Sequence, residues 1–257
     1  MKTKIKTLVI SGLAALAVST SCQKNDGMNS DNVRYASILD VSAEGISIVI
    51  TPNMQSAFVE TQPINEEELA SLLKMKEEEK LARDIYSSLY QKWGGTIFNR
   101  IAAAEENHLN AIIRLLVYYG SPDTLAGETG IFTDTNVQIL YNELLSKGSV
   151  SVEEAYKAGA LIEEMDINDL SDALETISNV NIVMVYENLE RGSRNHLRSF
   201  YNQLTSLGSF YTPIYITPSE YDQIVTSSIE KGNQYKMKGN GFGNCNGSGQ
   251  GKRKGRN

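Results

Sequence analysis

Cysteine is nearly absent from this chain: Cys22 and Cys245 are its two in 257 residues. Cys22 directly follows a leader segment and reads as lipidated, which leaves Cys245 without an intramolecular partner, so no disulfide staples the fold. An excess of basic charge is missing too. Setting aside Lys2, Lys4 and Lys6 of the leader leaves 24 − 3 = 21 basic residues against 31 acidic ones, a net charge of −10. That balance argues against nucleic acid as a partner. Beyond the leader there is no apolar run of membrane length, no phosphate-binding glycine loop, no nucleophile triad and no cysteine metal cluster. Strand-like pattern is confined to Ile46-Ser47-Ile48-Val49-Ile50, ended by Pro52. Histidine occurs twice, at His108 and His196.

The ends of the chain read differently from its middle. Residues 1–21 have a basic start, an apolar run from Leu8 to Val18 and the small residues Ser19, Thr20 and Ser21 before Cys22. This looks like a bacterial lipoprotein signal. It places Cys22 as the lipidated residue and the protein at the bacterial cell envelope, anchored to a membrane through lipid at the outer membrane or surface. Ser19 stands where such signals usually carry Leu. The following Gln23-Lys24-Asn25-Asp26 resembles the export tag of surface lipoproteins. Residues 22–63 are expected to be a linker with one short strand. Residues 236–257 hold too much glycine to pack and read as a disordered tail with a basic end at Lys252, Arg253, Lys254 and Arg256.

Between these ends the pattern is helical. Asn65 with Glu68 has capping-box spacing, and Gly94-Gly95 stops the helix that follows, which predicts a helix over 66–93. Further long helices are predicted over 96–119, 152–177 and 181–207, with a short one over 136–147 and another starting at Pro218. Four long helices with apolar stripes point to an all-α four-helix bundle over 64–210, followed by an extension over 211–235. The connection between the second and third long helices is long enough to cross the length of the bundle, as in ferritin-like connectivity.

Each apolar stripe carries a polar group at mid-face. Glu79 sits on the stripe of Leu72, Met75, Ala82, Tyr86 and Leu89. His108 lies on that of Ile101, Ala104, Ile112 and Leu115, with Glu105 three residues before it. Asp166 lies on that of Gly159, Ile162 and Leu170, bordered by Glu163. His196 centres that of Val185, Leu189, Phe200 and Leu204. Buried carboxylates are costly without a partner, and Glu-x-x-His projecting into a bundle is the repeating unit of carboxylate-bridged di-metal sites. Glu79, Glu105, His108, Glu163, Asp166 and His196 make four carboxylates and two imidazoles, a donor set suited to iron, manganese or zinc. Tyr86 and Tyr186 are candidate supporting donors or radical traps, or core aromatics. Glu78, Glu106 and Glu164 read as edge residues with carboxylates in solvent. The competing reading of the whole set is a charge network in which Arg83, Arg100 or Arg194 pairs the carboxylates.

Glu79-Lys80-Leu81-Ala82-Arg83-Asp84-Ile85-Tyr86 resembles the first ligand helix of rubrerythrins. More closely, residues 75–84, 104–108, 159–167 and 192–197 are similar to an uncharacterised ferritin-like family of archaea and bacteria, the domain of unknown function 2202. The resemblance covers residues 69–204. It implies two metal ions, iron first, and oxidation of ferrous iron or reduction of peroxide. One departure stands out: a second Glu-x-x-His ahead of His196 would need Glu at 193, where the chain has Ser193. Asp166 could supply the missing oxygen ligand. Because of Ser193 and the tail, a non-catalytic envelope bundle that binds or scaffolds stays open beside the oxidoreductase. Expected partners are metal ions and the membrane, with homo-oligomer formation left open.

Overall fold

The computed structural model describes residues 38–42, 47–49, 54, 57–121 and 127–231. The leader, Cys22 and the tail from 236 lie outside them. Among the described residues two short antiparallel strands come first, β1 (Leu39–Val41) and β2 (Ser47–Val49), with Leu39 opposite Val49. Six helices follow: α1 (Glu66–Trp93), α2 (Thr96–Tyr118), α3 (Thr135–Gly148), α4 (Val152–Thr176), α5 (Val180–Ser206) and α6 (Pro218–Thr226).

The helix limits follow from local chemistry. Asn65 accepts from the Glu68 amide while the Glu68 carboxylate accepts from the Asn65 amide, so both halves of the capping box form. Gly94, at φ 72°, ends α1 in the left-handed conformation that glycine adopts at no steric cost. Ser151 caps α4 through the Glu154 amide, and the Glu154 carboxylate turns to Lys157 at 3.0 Å. Asn179 caps α5 by accepting from the amides of Asn181 and Ile182.

The four long helices form an all-α bundle in which α1 packs on α2, α2 on α5, α5 on α4 and α4 on α1. Its core falls into two apolar clusters. One holds Leu72 and Met75 from the start of α1, Ile112 and Leu115 from the end of α2, Leu170 from the end of α4, and Ile182 and Val185 from the start of α5. The other holds Ile85 and Leu89, Phe98 and Ile101, Ala155 and Ala160, and Phe200 and Leu204. Hence α1 and α5 run one way and α2 and α4 the other. The end of α2 and the start of α4 are at opposite ends, so the connection between them crosses the bundle, as expected. That connection is pinned from α1. The buried Lys80 ammonium donates to the carbonyls of Glu128 and Ile131 and pairs with Asp84 at 2.7 Å, while Asp84 accepts from the Gly130 amide.

Glycine is required at 159, in the middle of α4. A Cβ there would stand 2.5 Å from the ring of Phe200, so only glycine admits that ring. Phe200 in turn packs on Tyr86, with ring centroids 5.4 Å apart. The segment expected as a linker contributes to the core. Ile38 and Met54 are buried in the first cluster, and Asn181 ties down Val59 through both its amide and its carbonyl. β2 runs along α2.

Candidate metal centre

Between the two apolar clusters lies a layer of polar side chains, one or two from each long helix. Glu79 comes from α1, Glu105 and His108 from α2, Glu163 and Asp166 from α4 and His196 from α5. All six are buried, Asp166 at 3% exposure and the others at 0%. The helices bring them into a continuous chain. His108 Nδ1 stands 3.3 Å from Glu79 Oε2 and 2.7 Å from Glu105 Oε2. His196 Nδ1 stands 2.8 Å from Glu105 Oε1 and 3.2 Å from Glu163 Oε2. Tyr86 donates its hydroxyl to Glu163 Oε1 at 2.5 Å. The imidazoles stack, with centroids 5.4 Å apart and planes 20° from parallel.

Two groups of donors result: Glu79, Glu105 and His108, and Glu105, Glu163 and His196. In each, one atom from every residue lies within 4.8 Å of the others. Glu105 belongs to both. Ligand atoms ~2.1 Å from a shared ion stand ~3 Å apart, which is the spacing between these nitrogens and oxygens.

Asp166 stands outside both triads. Its Oδ2 has no hydrogen-bond partner among the described residues. Ser193 donates its hydroxyl to the Leu189 carbonyl one turn back and leaves room without contributing a carboxylate. Tyr186 does not bond to any of the six; its hydroxyl pairs with Ser71 at 2.9 Å.

The charge-network alternative finds no support among the described residues. Arg83 pairs with Asp84 and Glu106, Arg194 with Glu190 and Glu230, and Arg100 is exposed. None of these three arginines is paired with a carboxylate of the layer among the described residues. Among the described residues, neither oxygen of Glu79 or Glu105 has a hydrogen bond of good geometry, and the same holds for His196 Nε2. Buried carboxylate oxygens left this way are costly, and a cation would satisfy them.

The electrostatics show the same shortage of positive charge. Burial pushes Glu79 up to about 8 and Glu163 up to about 7, against the opposing pull of the neighbouring imidazoles. Burial, with Glu79, Glu163 and Glu105 nearby, raises Asp166 well above the ordinary carboxyl range. For Glu105, burial is outweighed by His196 and His108, which hold its carboxyl below that range. His108 is raised to about 9, because Glu105 and Glu79 outweigh its burial.

Of the three edge residues expected on sequence, Glu106 is half exposed and paired with Arg83, as read. Glu164 is not an edge residue. It is fully buried and its Oε1 accepts from the amides of Ile214, Tyr215 and Ile216, while Oε2 accepts from Tyr211. Glu78 is mostly covered and faces Lys74 at 3.3 Å.

The fold and the layer define a class: a four-helix bundle carrying two carboxylate–imidazole groups that share one glutamate. The chain belongs to the family described as uncharacterized protein domain (DUF2202), which matches residues 68–228. It is 46% identical over 172 residues to the uncharacterized protein MJ0754 of Methanocaldococcus jannaschii, a match covering 66% of this chain and 93% of that protein. It is also similar to the crystal structure of the hypothetical protein MJ0754 from the same archaeon, with a TM-score of 0.66 at 45% identity, over 67% of this chain and 99% of that one. Glu79 through His196 all fall within the family match, and the leader and tail fall outside it.

Proposed function

We propose that this protein is a di-metal carboxylate protein, with iron the first choice of metal and manganese or zinc the alternatives, and that it oxidises ferrous iron or reduces peroxide. One observation carries the reading: Glu105 is shared between two buried triads, and the carboxylate oxygens of Glu105 and Glu79 have no hydrogen-bond partner among the described residues. Charge supports it. Glu79, Glu105, Glu163 and Asp166 carry four negative charges when ionised, and two divalent cations carry four positive. Bound iron would supply one-electron chemistry and open positions for O2 or peroxide. The chain does the rest. Glu79 with His108 and Glu163 with His196 would hold one ion each, and Glu105 both. Tyr86 directs its proton at Glu163 and fixes that carboxylate. The apolar clusters above and below screen the two triads from water.

The test is metal analysis of protein purified without chelator and reloaded with Fe(II) under argon, followed by separate exposure to O2 and to peroxide. About two equivalents, with oxidation by one of these, is the expected result. Full folding with no metal would leave the scaffold reading in its place. Loading must displace protons from Glu79, Glu163 and His108, which hold them up to about 8, 7 and 9. Metal uptake is therefore expected to release protons, and affinity to fall as pH drops from 8 to 6. Affinity flat across that window would mean that these groups are not the ligands.

We infer that the site works at the bacterial cell envelope, held by lipid on Cys22. No described helix is long and apolar enough to cross a membrane, so lipid is the attachment this reading requires. Mass spectrometry of the mature N-terminus should find a diacylglyceryl cysteine at Cys22; a mature chain that begins elsewhere, without lipid, refutes the anchor.

A further inference from the structure

A cavity of about 800 Å³ opens between α1, α3 and α4. Five carboxylates line it, those of Glu78, Asp134, Asp166, Asp169 and Asp172, against one ammonium, that of Lys74. The arrangement is graded. Asp172 and Asp134 are exposed, Asp169 is half-buried, and Asp166 is 3% exposed. Lys74 stands between Asp169 at 2.9 Å and Glu78 at 3.3 Å with its own side chain 57% exposed, so it reaches out of the wall and can swing away. Asp166 is one helical turn from Glu163, and Met75, also in the lining, is one turn from Glu79.

Asp166 is the second, independent observation. It is a nearly fully buried carboxylate that lines the cavity and whose Oδ2 has no hydrogen-bond partner among the described residues. A structural carboxylate at this depth would be bonded to an amide or paired with a cation, as Glu164 and Asp84 are in this same molecule. Asp166 has the depth and the opening, and its Oδ2 lacks the partner.

We propose that this cavity is the route by which hydrated divalent cations enter the bundle, and that Asp166 is the carboxylate that takes them at its inner end. The proposal rests on the di-metal reading above and names the entry to that site. The volume admits an ion with its water shell. A wall of one charge sign in a cleft raises the local concentration of counter-ions and their rate of arrival. The described carboxylates of the cavity do not form a third group of the kind made by the two triads, which suits passage rather than storage. Asp166, one turn from Glu163, can receive an ion as it sheds water and pass it inward without being one of the shared ligands.

Loading of the full-length protein with Co(II), followed by its visible absorption in stopped flow, separates rate from capacity. Two variants change the outer cavity without touching the triads: Asp172→Lys reverses an exposed charge, and Ala70→Trp narrows the mouth at an exposed helical position. Glu143→Lys, an equal charge change at an exposed residue outside the lining, is the control. Both cavity variants should load about tenfold more slowly, reach the wild-type stoichiometry, and leave the control at wild-type rate. Raising ionic strength should slow the wild type and barely affect Asp172→Lys. Asp166→Asn should also load slowly and completely. If the wild type takes up two equivalents and the cavity variants load as fast as it does, the route is refuted and the metal centre stands. If Asp166→Asn instead loses stoichiometry, Asp166 is a ligand and not a transit group. If the wild type binds no Co(II), Fe(II) or Mn(II), both readings fall together.

Discussion

Replacing Glu105 with glutamine is expected to remove metal from both positions at once. Its two oxygens face different imidazoles, Oε1 toward His196 at 2.8 Å and Oε2 toward His108 at 2.7 Å, and it is the one residue common to both triads. Loss of a supporting group beyond the ligands already costs ~10–100-fold in metal affinity, so loss of a shared ligand should cost more than ~100-fold at each position. Glu79→Gln and Glu163→Gln each disturb one triad and should leave the other able to bind one equivalent. Glutamine keeps the volume, and the apolar clusters on either side of the layer are untouched, so the helical circular dichroism should persist. A second readout does not depend on metal. The carboxylate of Glu105 is the leading group that raises His108 to about 9 against its burial. In metal-free Glu105→Gln the His108 titration, followed by NMR, should move down from there. A variant that keeps two equivalents, or in which His108 titrates unchanged, would show that Glu105 is not shared.

Glu164→Ala is expected to destabilise the fold while leaving the metal centre intact. The Glu164 carboxylate gathers three successive amides, of Ile214, Tyr215 and Ile216, and the Tyr211 hydroxyl, and so fastens the segment after α5 onto α4. Truncation leaves the Ile216 amide buried without its acceptor and removes a charge-assisted bond from each of the others. A buried donor without a partner costs ~1–3 kcal/mol. The amides of Ile214 and Tyr215 regain water, because those residues are more than half exposed, so a total of roughly 2–4 kcal/mol follows. For a domain of this size that corresponds to a fall in Tm of roughly 5–15 °C. Faster proteolysis between residues 208 and 217 should accompany it. Glu164→Gln retains one acceptor oxygen and should lose less. Wild-type thermal stability in Glu164→Ala would show that the segment is held by the packing of α6 alone.

These two neighbours, Glu163 and Glu164, show where reading the chain residue by residue succeeds and where it stops. A carboxylate on an apolar stripe is visible in sequence because burial of charge breaks the pattern. That logic singled out all six groups of the layer. It treated Glu164 as an edge residue because α4 has a second covered face, and what covers it is a segment about 50 residues later. Periodicity along one helix records which side is apolar, not which distant stretch of chain returns to lie on a polar one.

The same contrast applies to the rest of the fold. The limits of α1, the capping box at Asn65, the stop at Gly94 and the crossing of the bundle by the long connection were all determined by the sequence alone. They depend on interactions within a turn or two, or on counting residues. Only the tertiary structure decided that Ile38 and Met54 join the core, that Tyr86 reaches Glu163 while Tyr186 turns to Ser71, and that Asp166 faces a cavity instead of closing a triad. It also decided that Glu105, out of four carboxylates, is the shared one. Such choices depend on the rotation and stagger of packed helices. A shift of a few ångströms there redirects a carboxylate without altering any spacing in the chain, so the donor set can be read from the order of residues and its division into two triads cannot.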